Sequence, residues 1–77
     1  MITPVIEHLV KALVDNPGNV SIVEKRDGNQ CVITIDVSEG DLGRVIGKDG
    51  QTIRAIRSIA LLMAPAGVDV AVDIANQ

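Results

Sequence analysis

The run Gly43-Arg44-Val45-Ile46-Gly47-Lys48-Asp49-Gly50-Gln51-Thr52-Ile53-Arg54-Ala55-Ile56-Arg57 decides how this chain is read. On its C-terminal side, Ile53, Ile56, Ile59, Ala60 and Met63 fall within one arc of a helical wheel, with Arg54, Arg57 and Ser58 outside it. That periodicity predicts a long helix from Gln51 to about Met63. On the N-terminal side, Asp41 to Ile46 has room for only a turn or two of helix, because Gly43 weakens it and Gly47 ends it. Two helices are therefore expected to meet at a four-residue loop, Gly47-Lys48-Asp49-Gly50.

Working outward, Pro65 and Gly67 break the long helix, and Val68 to Ile74 follows as a half-buried strand. Its Val68, Val70, Val72 and Ile74 alternate with Asp69, Ala71 and Asp73. Upstream, Gln30 to Val37 reads as a strand whose Cys31, Ile33, Ile35 and Val37 face the core. Asp27-Gly28-Asn29 joins it as a hairpin turn to a β-branched strand, Val20 to Arg26. At the N-terminus, Thr3 and Pro4 read as the cap and first residue of a helix with an apolar stripe of Val5, Ile6, Leu9, Val10, Leu13 and Val14. Asn16-Pro17-Gly18-Asn19 stops that helix, with Gly18 available for any left-handed residue at the exit.

The expected order is α-β-β-α-α-β, an α+β fold in one domain spanning residues 1–77. A two-helix crossover is long enough to make the second and third strands parallel. The second strand then lies at the centre of a mixed three-stranded sheet, antiparallel to the first, with the helices on one face.

Composition prunes the function classes. The chain has no Phe, Trp or Tyr, so the core is aliphatic and no aromatic platform exists for stacking bases. One cysteine, Cys31, and one histidine, His8, supply neither a disulfide nor a metal site nor a catalytic triad. We expect Cys31 in the core and His8 on the surface, no metal, no cofactor and no enzymatic role. The N-terminus lacks the pattern of an export signal, and no apolar stretch approaches the ~20 residues that span a bilayer. A cytoplasmic protein without membrane contact is the expectation.

The net charge of −3 argues against a polyanionic partner until its distribution is considered. Residues 42–63 hold Arg44, Lys48, Arg54 and Arg57 against Asp49 alone, a local charge of +3; the remainder of the chain carries −6. The positive charge thus borders the glycine loop. A tight turn just before a helix N-terminus offers main-chain N–H groups and a partial positive charge to a phosphate, and glycines at 47 and 50 remove side-chain bulk from its approach. Lys48 adds a point charge. Gly40-Asp41-Leu42-Gly43 has the same glycine spacing but no basic residue, so spacing alone is weak evidence. A Walker loop fails, since only three residues separate Gly43 from Gly47 and Asp49 stands where Ser or Thr is needed.

From Gly43 to Arg57 the sequence closely resembles the KH motif, and the element order resembles its type II arrangement over essentially the whole chain. Among KH proteins it looks most like the small bacterial KhpA/YlqC family of stand-alone cytoplasmic proteins. The resemblance implies binding of single-stranded RNA in post-transcriptional control. It also implies a groove for about four nucleotides over an aliphatic floor, and partnership with a second copy or with a larger Jag-type KH protein. Carried over by position, Gly47, Lys48, Asp49 and Gly50 form the loop, Val45 and Ile46 precede it, and Ile53 and Arg54 follow it. Arg44 and Arg57 extend the cationic border.

Each of these residues also has a plainer reading. The two glycines could form an ordinary helix–helix connection, Asp49 could cap the following helix, and Arg54 and Arg57 could be the solvated side of an amphipathic helix. Leu61 and Leu62 lie off the core arc, where they end the helix, pack under a loop or join a subunit contact. Besides RNA binding, therefore, an interaction subunit that leaves RNA contact mainly to its partner is the alternative. A DNA-binding helix-turn-helix fits poorly, because two strands flank the helices and the total charge is acidic.

Overall fold

The computed structural model describes residues 2–75. It contains α1 (Ile2–Leu13), β1 (Ser21–Asp27), β2 (Gln30–Asp36), α2 (Leu42–Ile46), α3 (Gln51–Met63) and β3 (Asp69–Ile74), with single 3-10 turns at Pro17–Asn19, Glu39–Asp41 and Lys48–Gly50. The sheet order is β1-β2-β3, β1 antiparallel and β3 parallel to β2. This is the α+β type II KH-like arrangement that the sequence predicts.

Alternation along β2 organises the packing. Cys31, Ile33, Ile35 and, just beyond the strand, Val37 are buried, and they meet Ile2, Ile6, Val10 and Val14 from the α1 segment. Val45 of α2 and Ile53, Ile56 and Ala60 of α3 close the same core from above, while Val72 and Ile74 extend it across β3. Burying one such isoleucine contributes about 1.5–3 kcal/mol, so a continuous aliphatic layer holds a sheet that lacks aromatic rings. On the opposite face, Val23, Asp69, Ala71 and Asp73 stay exposed. The helices thus cover one side only.

Several local expectations need correction. Helix α1 begins at Ile2, two residues before Pro4, and Thr3 lies inside it instead of capping it. The reason is tertiary: Ile2 is buried in the core, and the Thr3 hydroxyl donates to the Glu24 carboxylate of β1. Gly18 is not among the positive-φ glycines, which are Gly28, Gly47, Gly50 and Gly67. The exit from α1 instead runs through a 3-10 turn closed by Asn19 N–H to Asn16 O (3.0 Å) and Val20 N–H to Pro17 O (3.2 Å). Strand limits differ by one residue from those expected, and the hairpin loop proper is Gly28-Asn29, because Asp27 already pairs with Gln30.

Asp41 ties the two halves of this frame together. It is the one buried charged residue among those described, 2% exposed. Its Oδ1 accepts the Asp15 N–H at 3.1 Å, and its Oδ2 accepts the Asn16 N–H at 3.0 Å and the Asn16 amide side chain at 3.3 Å. The N–H donated by Asp15 holds the Asp41 carboxyl below the usual carboxylate range against the opposing effect of burial, with help from Asn16 and Arg44.

Candidate nucleic-acid interface

The loop between α2 and α3 is built from backbone conformations that side chains resist. Gly47 ends α2 at φ 77°, ψ 172°, a region essentially reserved for glycine. A Cβ there would sit 2.2 Å from Thr52 Oγ1 and 2.8 Å from the Thr52 nitrogen, so the loop is drawn tightly onto the first turn of α3. Asp49 follows at φ 56°, ψ 24° and Gly50 at φ 75°, ψ 16°, both left-handed. Asp is one of the few residues besides glycine that accept this region.

The turn closes on itself through Gly47 N–H to Gly43 O (2.8 Å), Gly50 N–H to Gly47 O (3.1 Å) and Gln51 N–H to Lys48 O. Helix α3 then starts with Gly50 as its cap residue and without a side-chain cap hydrogen bond. The capping role read for Asp49 is therefore not realised: the left-handed turn puts Gly50 in that place. Thirteen residues of helix leave the partial positive charge of the α3 N-terminus behind the loop, uncapped by any side chain.

The four cations of this segment take different places. Arg54 reaches back from α3 and donates to the Asp49 carbonyl at 2.7 Å, bracing the loop. Arg57, one turn further on, donates through Nε to the Val72 carbonyl at 3.1 Å. Arg44 on α2 pairs with Asp15 at 3.3 Å, both side chains largely exposed. Lys48, exposed at the tip of the turn, is the one cation of the four with no hydrogen bond or ion pair to another described residue.

Arg57 also marks a groove. The Asp69 N–H bonds to Asn29 O and the Ala75 N–H to Ile35 O, so the odd-numbered residues of this strand turn their main chain toward β2. The even-numbered ones turn it outward, as the Arg57 bond to Val72 requires. Among the described residues no strand neighbours the outer edge of β3. A shallow groove lined by Arg57 and Leu61 of α3 and by Val70, Ala71, Val72 and Asp73 runs along that edge. Because Arg54 and Arg57 stand on successive turns of one helix, the loop and the groove are parts of one continuous surface.

Not every expected residue reaches that surface. Val45 is completely buried and Ile53 nearly so, which makes them the underside of the site, whereas Ile46 is half-buried beside Gly47. The free edge of β3 was not read from the sequence as part of a site: the element order put this strand at the margin of the sheet, but did not place Arg57 beside it. Among the described residues no group of three or more His, Cys, Asp or Glu side chains is placed to hold a metal ion. No described helix is long and apolar enough to cross a membrane.

The family profile described as "KhpA/KhpB, KH domain" matches residues 4–74, nearly the whole chain. The chain belongs to the KhpA/KhpB KH-domain family. Among individual KhpA proteins, the "RNA-binding protein KhpA" of Leifsonia xyli subsp. xyli is 38% identical over 76 residues, 99% of either chain. The protein of the same name from Halalkalibacterium halodurans is 42% identical over 59 residues, 77% of this chain and 78% of its own. That of Streptomyces coelicolor is 39% identical over 70 residues, 91% and 89% of the two chains.

Proposed function

We propose that this chain is an RNA-binding module that holds a short single strand across the loop and the β3 groove. The carrying observation is the turn itself: Gly47 and Gly50 in conformations that keep side chains out of the way, and Lys48 standing unpaired between them at the start of an uncapped helix. A phosphodiester laid against the turn meets the Lys48 ammonium and the positive end of α3 behind it. Arg54 holds the turn in shape and Arg57 borders the groove, so the strand is positioned more than it is read. Val45 and Ile53 support the loop from beneath, with Ile46 at its shoulder and Arg44 adding field from α2. Such a module acts in the cytoplasm in post-transcriptional control, by binding and not by turnover. The names of its KhpA relatives support the RNA reading.

Fluorescence anisotropy with a labelled short oligoribonucleotide tests it. Lys48→Asp reverses the loop's unpaired charge without touching the core and should weaken binding roughly ten-fold or more, the scale of a lost phosphate contact with added repulsion. Unchanged affinity would remove the loop from the proposal.

A second reading rests on the end of α3, where Leu61 is 64% and Leu62 87% exposed and Met63 adds to the patch. Exposed leucines side by side suit a protein contact, with a second copy or with a larger KH protein of the Jag type. In that case RNA affinity belongs mainly to the assembly, through avidity. Light scattering across a concentration series separates the two, since a strictly monomeric chain that binds RNA by itself excludes the second.

A further inference from the structure

We infer that Asp41, which makes no contact with the proposed ligand surface, is the positioning residue for the glycine loop; this rests on the loop being the RNA contact proposed above. Helix α2 has only five residues, too few to be stable on its own, so its place is set by what holds its two ends. Asp41 holds the leading end. Both carboxylate oxygens are spent on the segment that leaves α1, one on the Asp15 N–H and the other on the Asn16 N–H and side chain. Three residues into α2, Arg44 pairs with Asp15, so the same stretch of chain is gripped twice.

At the trailing end stands Gly47, whose missing Cβ lets it lie against Thr52 with no spare room. A displacement of α2 therefore cannot be absorbed at Gly47; it passes into the turn, whose N–H groups at Gly47, Gly50 and Gln51 are committed to short-range closure. Asp41 thus governs the shape of Gly47–Gly50 from the far end of a short helix. Asparagine is not a substitute, because one oxygen becomes an N–H donor pointed at another N–H.

Amide hydrogen exchange on the free protein and RNA titration together decide the matter. Asp41→Asn is compared with wild type and with Gly40→Ala, whose added methyl meets nothing within 4 Å. The expected result is that the Gly47, Gly50 and Gln51 amides exchange about ten-fold faster relative to those of β2, since opening is local. Affinity for a short oligouridylate should fall about five-fold under conditions where the variant is fully folded, through lost preorganisation. Asn16→Ala removes one of the three hydrogen bonds and should move the same amides less; it keeps the test open if Asp41→Asn does not fold. If loop exchange rises only in step with β2, Asp41 is a general stabiliser and the inference fails. Should wild type bind no oligouridylate, the RNA reading falls, and the exchange result alone judges Asp41.

Discussion

Two segments of this chain share the spacing Gly-x-x-Gly, three residues apart in sequence, and they do opposite work. In Gly40-Asp41-Leu42-Gly43 neither glycine has a positive φ, and a Cβ at either would meet nothing within 4 Å. Its polar side chain, Asp41, is turned inward and fully hydrogen-bonded. In Gly47-Lys48-Asp49-Gly50 both glycines have positive φ, the first has no space for a methyl, and both charged side chains between them are exposed, Lys48 with no hydrogen bond or ion pair to another described residue. The first segment is an anchor and the second a cradle. What separates them is backbone conformation and the direction of one side chain, neither of which a spacing rule contains.

The largest expected break in this contrast is Gly47→Ala. A residue with Cβ is excluded from that φ, ψ region and would overlap Thr52, so we expect a loss of about 3 kcal/mol or more in urea unfolding, with RNA affinity lost as well. Near-native stability would mean that the loop relaxes freely and the cradle is not built as described.

Acid comes next and tests the anchor. The Asp41 carboxyl is held below its ordinary value by donated N–H groups, so its stabilising contribution is complete above the unfolded-state pKa of about 3.9 and is lost as pH falls through the lower folded value. Stability should therefore drop on acidification below about pH 4, and the drop should be shallower in Asp41→Ala when the two unfolding curves are compared. Identical acid limbs would contradict the assignment.

A smaller change is expected at Asp49. Asparagine tolerates the left-handed conformation as well as aspartate does but carries no charge to repel a phosphate. Asp49→Asn should tighten RNA binding about three-fold and leave stability within about 0.5 kcal/mol. The smallest effect belongs to the anchor's own glycine: Gly43→Ala, in helical conformation and open space, should stabilise by about 0.5 kcal/mol and leave RNA affinity alone.

The contrast also explains what was legible in the sequence. Helix α3, expected from Gln51 to about Met63 and found at Gln51–Met63, was legible because its apolar arc, Gly50 before it and Pro65 after it are local signals. The order of the strands and the buried face of β2 followed from alternation and connection length. Thr3 was misread because its hydroxyl serves β1, and Ile2 draws α1 back into the core, facts that exist only after folding. Asp41 was legible only as the start of a short helix and as part of a look-alike without a basic residue; its hydrogen-bond partners lie some 25 residues away. Arg44, Arg54 and Arg57 were read as a shared field, and the structure adds a separate bond for each, to Asp15, Asp49 and Val72. Long side chains choose partners by tertiary proximity, which composition does not carry.

The most direct test is a residue-resolved NMR titration with a short single-stranded ribo-oligomer. The account predicts that Gly47, Lys48, Gly50 and Thr52 shift first and furthest, followed by Val70 and Val72 along the β3 edge, while Gly40 and Gly43 stay in place. Saturation of the oligomer with those loop signals unmoved, or with the largest shifts on the exposed sheet face at Val23 and Asp69, would contradict it.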